Sequence, residues 1–188
     1  MLTVETDADA VEERLGSGRL ACPGCAGVLA GWGRARGRSV RDTDGVLWVV
    51  PRRSRCCGCG ATHVLLPVLL LVRRADTVVV IGAGLTAKAT GAGHRLIAAL
   101  LGRPPETVRG WLRRFATRVE AVRSVFTCWC RDLAPDPVLP GPAGSTWADA
   151  IAAILAAAVA VGTRFSLGEV PVWQAAAAVS AARLLAPG

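Results

Sequence analysis

The chain has 188 residues, a formal net charge of +8 and a hydrophobic content of 52%, and it contains no tyrosine. This length accommodates one ordinary domain or two to three small ones, and the lack of tyrosine excludes recombinases and relaxases that use a tyrosine nucleophile. Residues 1–9 are acidic without an apolar signal core, and the longest apolar stretch, 150–162, is shorter than the ~18 residues of a membrane span, so we expect a cytoplasmic protein.

The positive charge is concentrated in the middle of the chain. Residues 19–131 contain 19 Arg or Lys against 5 Asp or Glu, whereas both flanking segments have a net negative charge. A GC-rich genome would explain the preference for Arg over Lys, but it does not explain why acidic residues avoid the middle. A basic segment between acidic ends is typical of a surface that binds a polyanion, most often nucleic acid.

The first predicted element is an acidic tail over residues 1–18, solvated and partly helical. Two cysteine pairs with the spacing of zinc knuckles follow it. The four cysteines are Cys22, Cys25, Cys56 and Cys59. Two such turns close a tetrahedral four-thiolate site, which is structural rather than catalytic. In a reducing cytoplasm paired cysteines usually bind metal, so we predict Zn²⁺ as the cofactor.

The segment that contains the cysteine pairs also contains short stretches of β-forming residues. These stretches are 27–32, 39–41, 46–55 and 61–66. They predict a zinc ribbon over residues 19–70, a three-stranded antiparallel sheet with the metal at one end. So small a sheet has little core of its own, and bound zinc would supply the missing free energy. Cys57 and His63 remain open as substitute ligands.

The first pair read alone, Cys22-Pro-Gly-Cys25, also fits a thiol–disulfide motif. The second cysteine pair and the absence of a surrounding βαβ pattern argue against a redox role.

Residues 75–130 predict a trihelical domain. The first helix is capped by Asp76 and ends near Thr90, the second covers 94–101, and the third runs from Pro105 through Arg118 towards Cys130. A small residue, Ala98, lets two helices touch, and Gly102 suits the turn between them. The spacing is typical of a helix-turn-helix with an extended third helix. A generic helical hairpin with a solvated arginine face is the alternative.

In a helix-turn-helix the second helix of the motif enters the major groove of DNA, and side chains near its N-terminus meet the bases. The candidate base contacts are Glu106, Thr107, Arg109 and Arg113. Arginine is the usual bidentate reader of guanine, which favours the two arginines. The candidate phosphate contacts are Arg103, Arg114 and Arg118, with Arg52 and Arg53 of the ribbon beside them.

A glycine motif within the first predicted helix imitates a nucleotide site. Residues 77–87 read as a β-branched run followed by G-x-G-x-x-A. A dinucleotide fold would need a second strand and an acidic residue about 20 positions further on. Glu106 is near that distance but lies in the candidate recognition helix, so we interpret the segment as an apolar helix.

The last part of the chain is a Pro/Gly linker over residues 131–144 and an Ala-rich helical hairpin over 145–188. Ser145 or Thr146 would cap the first of its helices, 147–161, and the second would cover 172–185. Such a hairpin would cover the helix-turn-helix or self-associate, which makes a homodimer the candidate assembly. Association with a membrane surface is the rival from another class. The abrupt end after an apolar segment is also what a truncated reading frame would give.

The combination of motifs resembles the N-terminal DNA-binding part of bacterial insertion-element transposases. The resemblance rests on Cys-Pro-Gly-Cys (22–25), Arg-Cys-Cys-Gly-Cys-Gly (55–60) and the run from Gly93 to Arg114. Thr-His-Val-Leu-Leu-Pro (62–67) and Trp-Leu-Arg-Arg-Phe (111–115) are also similar to an uncharacterised actinobacterial domain family. Together these likenesses cover residues 20–120 and imply DNA binding, without assigning a catalytic residue.

The chain departs from a whole transposase where catalysis would take place. A nuclease domain needs three carboxylates to hold two metals. Beyond residue 131 the acidic residues are Asp132, Asp136, Asp149 and Glu169, in a segment too short for such a domain. We therefore expect an α+β, zinc-dependent protein that binds double-stranded DNA, with no enzymatic activity and no small-molecule substrate. The alternative is a protein-interaction or membrane-surface protein with a structural zinc ribbon.

Overall fold

The computed structural model describes residues 1–134, 136–167 and 170–186. In these ranges the fold is α+β, with six strands and seven helices, which confirms the predicted class. The strands are β1 (Leu2–Val4), β2 (Leu29–Arg34), β3 (Arg38–Arg41), β4 (Val46–Val49), β5 (Arg52–Cys56) and β6 (Thr62–Pro67). The helices are α1 (Ala8–Gly16), α2 (Val78–Ala89), α3 (His94–Leu101), α4 (Pro105–Ala116), α5 (Val119–Leu133), α6 (Thr146–Phe165) and α7 (Val172–Val179).

The strands form two sheets. The larger has the order β1-β6-β5-β2, with β2/β5 and β5/β6 antiparallel and β1 parallel to β6. The smaller is the β3–β4 hairpin. The segment 46–55, expected to be one strand, divides between the two sheets around Val50 and Pro51. Proline has no N–H to donate to a ladder, so the chain can leave one sheet there and enter the other.

The prediction of a solvated N-terminal tail is wrong. Residues 2–4 extend the larger sheet, and α1 packs on it through Val11 and Leu15, four positions apart on one helical face. These two side chains share a small core with Leu20, Leu29 and Leu65. The acidic residues of α1 point away from this core.

A second, larger core lies among the helices. It contains side chains from α2 to α7 together with Val40, Leu70 and Leu71. Strand β6 contributes to both cores, because successive strand residues point to opposite faces. Leu65 lies in the small core and Leu66 in the large one. The strand after the second cysteine pair therefore joins the two halves of the molecule.

Three helix boundaries differ from expectation. Helix α2 is capped by Thr77, whose hydroxyl accepts the N–H of Val80, because the Asp76 carboxylate is held by arginines instead. The predicted long third helix is two helices. Thr117 donates its hydroxyl to the carbonyl of Arg114 at the break, a bond that competes with the helical ladder. Helix α7 ends at Val179, before two residues with positive φ, rather than at residue 185.

The glycine motif of residues 77–87 lies within a helix rather than at the end of a strand. A methyl group at Gly82 would overlap the indole of Trp173, and one at Gly84 would lie 3.4 Å from Ile97. The glycines allow other helices to approach the α2 backbone closely, which accounts for the motif without a nucleotide.

The C-terminal helices belong to the large core. Helix α6 buries Ala150, Ile154 and Ala157 among others, and it lies mainly against α5. By length and composition α6 meets the criterion for a membrane span within the described residues, with a mean hydropathy of 1.6 over 18 residues, of which 39% are buried in the fold. The apolar stretch is thus longer than the sequence analysis allowed, because the helix continues from Thr146 to Phe165.

Candidate metal centre and basic surfaces

The four predicted ligand cysteines converge at one end of the larger sheet. The sulfurs of Cys22, Cys25, Cys56 and Cys59 all lie within 4.8 Å of one another. The Sγ atoms of Cys25 and Cys56 are 3.4 Å apart, and those of Cys22 and Cys59 are 3.8 Å apart. Four sulfurs at ~2.3 Å from a tetrahedral zinc ion would be about 3.8 Å apart. The cluster therefore has the dimensions of a four-thiolate metal site.

The two cysteine turns have the same backbone construction. In the first, the N–H of Cys22 donates to the carbonyl of Gly27, and the N–H of Ala26 donates to the carbonyl of Cys22. In the second, the N–H of Cys56 donates to Ala61, and the N–H of Gly60 donates to Cys56. Each turn has one residue in the left-handed region, Ala26 with φ 58° and Gly60 with φ 73°. The site is thus assembled from two equivalent knuckles.

Backbone N–H groups and neighbouring thiols set the protonation of the sulfurs. The N–H of Cys59 lowers the pKa of Cys56 to about 6, assisted by Cys25 and Gly58 and opposed by burial. For Cys25, the N–H of Gly27 favours the thiolate, but the thiols of Cys56 and Cys59 and burial outweigh it and raise the pKa to about 12. The surroundings thus favour the thiolate form of Cys56 and the protonated thiol of Cys25. A divalent ion would favour the thiolate form of every ligand.

The two alternative ligands occupy different places. Cys57 is exposed and lies outside the cluster. His63 lies against it, with Nε2 3.4 Å from the sulfur of Cys22. Burial lowers the pKa of His63, and the N-terminal ammonium lowers it further, which favours the neutral imidazole. His63 therefore contacts a ligand sulfur rather than completing the group.

Helices α3 and α4 meet at Gly102, which has φ 60° and ends α3 in the left-handed conformation. Ile97 and Ala98 of α3 and Val108 and Trp111 of α4 are buried in the same core. Helix α4 is strongly amphipathic, since every residue it buries is apolar.

The opposite face of α4 carries the candidate base contacts. The side chains of Glu106 and Arg109 are 80% and 63% exposed and lie 3.6 Å apart. Arg113 is exposed and Thr107 is half-buried. Three of the four candidate base contacts, Glu106, Arg109 and Arg113, are thus exposed on the face of α4 that points away from the core.

The side chain of Arg103, a candidate phosphate contact, is engaged inside the protein. Its Nε lies 2.8 Å from Oδ1 of buried Asp76, and its Nη2 donates to the carbonyl of Asp42. The arginine is 12% exposed. The acid that holds it lies 27 positions away in sequence, so no local pattern could have indicated the pairing.

The remaining candidate phosphate contacts differ in how far their side chains are engaged by other groups of the protein. Arg52 is tied to Glu12 of α1, with Nε 2.6 Å from the carboxylate. Arg118 donates to the carbonyl of Ala186. Arg114 donates to Gly110 one turn earlier, and Arg53 is half-buried on the sheet.

Two arginines that sequence reasoning did not assign lie beside Arg114. Burial lowers the pKa of Arg74, and the positive charges of Arg114 and Arg73 lower it further, so each of these two guanidinium groups repels that of Arg74. A shallow cavity of about 210 Å³ next to them is lined by Arg73, Arg74 and Arg183. A concentration of like charge is the electrostatic signature of an anion-binding surface. In the sequence, the adjacent arginines 73 and 74 were the one feature that could have indicated this surface.

Comparison with known proteins finds no matching family model, no similar curated protein and no similar solved structure.

Proposed function

We propose that this chain is a zinc-dependent DNA-binding protein, in which the four cysteines hold a structural zinc ion and the helical half binds duplex DNA. The observation that carries the proposal is the four-sulfur cluster at the end of a sheet whose β6 strand runs directly into the helical core. Four thiolates with no water position form a closed site, so the ion has a structural role.

The zinc ribbon is the finer interpretation of the first half. Two equivalent knuckles precede β2 and β6, and the antiparallel β2-β5-β6 part of the sheet extends from them. The parallel strand β1 and helix α1 are additions to that unit.

The helix-turn-helix is the finer interpretation of α3 and α4. A left-handed glycine at the turn, a small buried alanine on α3 and an amphipathic α4 with exposed Arg109 and Arg113 support it. The three guanidinium groups of Arg73, Arg74 and Arg114 would contact phosphates at the end of this helix. In this proposal the protein belongs to the transposase-like or regulator-like DNA-binding proteins and has no nuclease activity.

The test is an in vitro selection from random duplexes, followed by binding titrations with the selected site. Arg109→Ala and Arg113→Ala should each weaken binding by ~1–3 kcal/mol and relax the preference at one base position. Arg123→Ala, an exposed arginine of α5 paired with Glu120, should leave affinity unchanged. A selection that enriches no sequence, together with no duplex binding at low salt, would show that the proposal is wrong.

A second candidate function is association through the C-terminal helices. Leu155 and Val159 of α6 are exposed one turn apart, and Phe165 is exposed at its end. This apolar strip favours either a homodimer or attachment to a membrane surface. Light scattering measures the first, and pelleting with anionic vesicles measures the second. Leu155→Ser with Val159→Ser should abolish whichever association is found.

A further inference from the structure

Within the described residues, the larger sheet has one face that no other element covers at its metal end. On β2, residues Ala30 and Trp32 point outward and are exposed, and Arg55 on β5 lies opposite Ala30. On β6, Thr62 lies opposite Arg55 and is exposed as well. The other face of the same strands is buried against α1 through Leu29 and Leu65. The outer face is thus an open surface with an exposed tryptophan on it.

The tryptophan and the arginine on this face form a stacked pair. The guanidinium carbon of Arg55 lies 4.9 Å from the centre of the Trp32 ring, and Trp32 remains 53% exposed. Nε of Arg55 also donates to the carbonyl of Gly60 in the second knuckle, at 3.3 Å. The metal-site turn therefore fixes the guanidinium, and the guanidinium fixes the indole. Holding the ring in place reduces the entropy that a ligand must remove on stacking.

The charge of this face has one sign. Strands β2, β5 and β6 contain four arginines and no aspartate or glutamate. Arg34 is paired with Arg52 in the register and lies on the opposite face, where Arg52 is used by Glu12. Arg53 and Arg55 are therefore the cationic groups of the outer face. Nε of Arg53 is buried and has no hydrogen-bond partner in the described part of the chain. The surface therefore combines a π face with uncompensated cations.

We propose that this outer face binds single-stranded nucleic acid, with a base stacked on Trp32 and adjacent phosphates on Arg53 and Arg55. A basic surface with an exposed aromatic ring is how proteins bind single strands, because each base has a flat face to stack and each linkage has a negative charge. Duplex bases already stack on one another, so this face selects unpaired bases. The inference extends the proposed function to a second surface that does not use α4.

The test is a fluorescence-anisotropy titration of the full chain with labelled oligo(dT) and oligo(rU) of 15 nucleotides at about 50 mM salt. Trp32→Ala should raise Kd by about 5- to 150-fold, the range measured for loss of one stacked base. Trp32→Phe should retain most of the affinity. Trp48→Ala is the matched control, since Trp48 is 69% exposed on the separate β3–β4 hairpin, and it should bind as the parent protein does. The DNA and RNA arms show which polymer the face prefers.

The outcomes separate this inference from the duplex proposal. Trp32→Ala should leave duplex affinity unchanged, and Arg109→Ala should leave oligo(dT) affinity unchanged. If duplexes bind but neither single strand does, the sheet proposal is wrong and duplex binding stands. If single strands bind Trp32→Ala as tightly as the parent protein, the outer face is not the site. The same conclusion follows if Trp48→Ala weakens binding as much as Trp32→Ala does. Melting temperature and zinc content of each variant show that it is folded.

Discussion

Asp76 and Arg103 form a buried ion pair, with Oδ1 of the carboxylate 2.8 Å from Nε of the guanidinium. The second carboxylate oxygen lies 2.7 Å from Nη2 of Arg41 on β3. Asp76 is 1% exposed. One carboxylate thus joins the β3–β4 hairpin to the turn between α3 and α4, and it links the metal-bearing half of the chain to the helical half.

Asp76→Asn should therefore lower the free energy of unfolding by about 3 kcal/mol or more, because it leaves the buried guanidinium of Arg103 without a counter-charge. Glu120→Gln is the control, since it breaks an exposed pair with Arg123 and should cost less than about 1 kcal/mol. Urea denaturation of the metal-loaded proteins measures both. Equal stabilities of the two variants would mean that the buried pair has no structural importance.

The features that the sequence predicted correctly are those coded within a few residues. The spacing of Cys22 to Cys25 and of Cys56 to Cys59 identified the cluster, and the second helix, predicted over 94–101 with a turn at Gly102, has those bounds as α3. In both cases the turn chemistry is local.

The features that the sequence missed depend on distant partners. Residues 1–18 were expected to be solvated because the segment is rich in acidic residues. The surface that buries Val11 is formed by Leu29 and Leu65, which come later in the chain. Arg103 was expected to contact phosphate because no residue near it in sequence indicated a partner inside the protein. Its partner, Asp76, lies 27 positions earlier in the chain. The stack of Arg55 on Trp32 likewise requires the register of β2 with β5, which composition does not reveal.

Metal removal should unfold one half of the chain before the other. The small core around α1 and the sheet has few side chains, and besides the backbone pairing of β2 with β5 the thiol cluster joins the two knuckles. Chelation, or Cys25→Ser, should abolish the hydrogen-exchange protection of β2 and β5 while α5 and α6 remain protected. Elemental analysis of the untreated protein should give one zinc per chain. Unchanged protection after complete loss of metal would contradict a structural role for the ion.

The two knuckles differ at their left-handed residue, and this difference is testable. Ala26 has φ 58° where the second knuckle has Gly60 with φ 73°. A left-handed alanine costs about 1 kcal/mol relative to glycine. Ala26→Gly should therefore stabilise the protein by that amount, and Gly60→Ala should destabilise it similarly, as measured by thermal melting.

Gly24 is the control for these substitutions. It lies in the first knuckle without a positive φ, and a methyl group there would be in ordinary contact with the Cys22 sulfur at 3.9 Å. Gly24→Ala should change the melting temperature less than either substitution at a left-handed position. A destabilising Ala26→Gly would argue that the two turns are not equivalent.

Gly82→Ala should destabilise the helical half although it raises the helix propensity of α2. The added methyl would overlap the indole of Trp173. Overpacking costs ~1–3 kcal/mol and the propensity gain returns ~1 kcal/mol, so we expect a net loss of up to about 2 kcal/mol. Trp173→Leu in the same chain should recover part of the loss by making room. Gly16→Ala in α1, where nothing lies within 4 Å, should be neutral or stabilising.

Arg73 and Arg114 should contribute to duplex binding through charge rather than through sequence. Each alanine substitution should weaken selected and random duplexes by the same factor, and it should reduce the slope of log K against log salt by ~1, because one phosphate is no longer neutralised. This pattern differs from that of Arg113→Ala, which should weaken the selected site more than random DNA. Arg164→Ala, an exposed arginine of α6 that stacks on Phe165, should leave the slope unchanged. If Arg73→Ala leaves the slope unaltered as well, phosphate does not reach the arginine cluster, and the DNA path along α4 ends before Arg114.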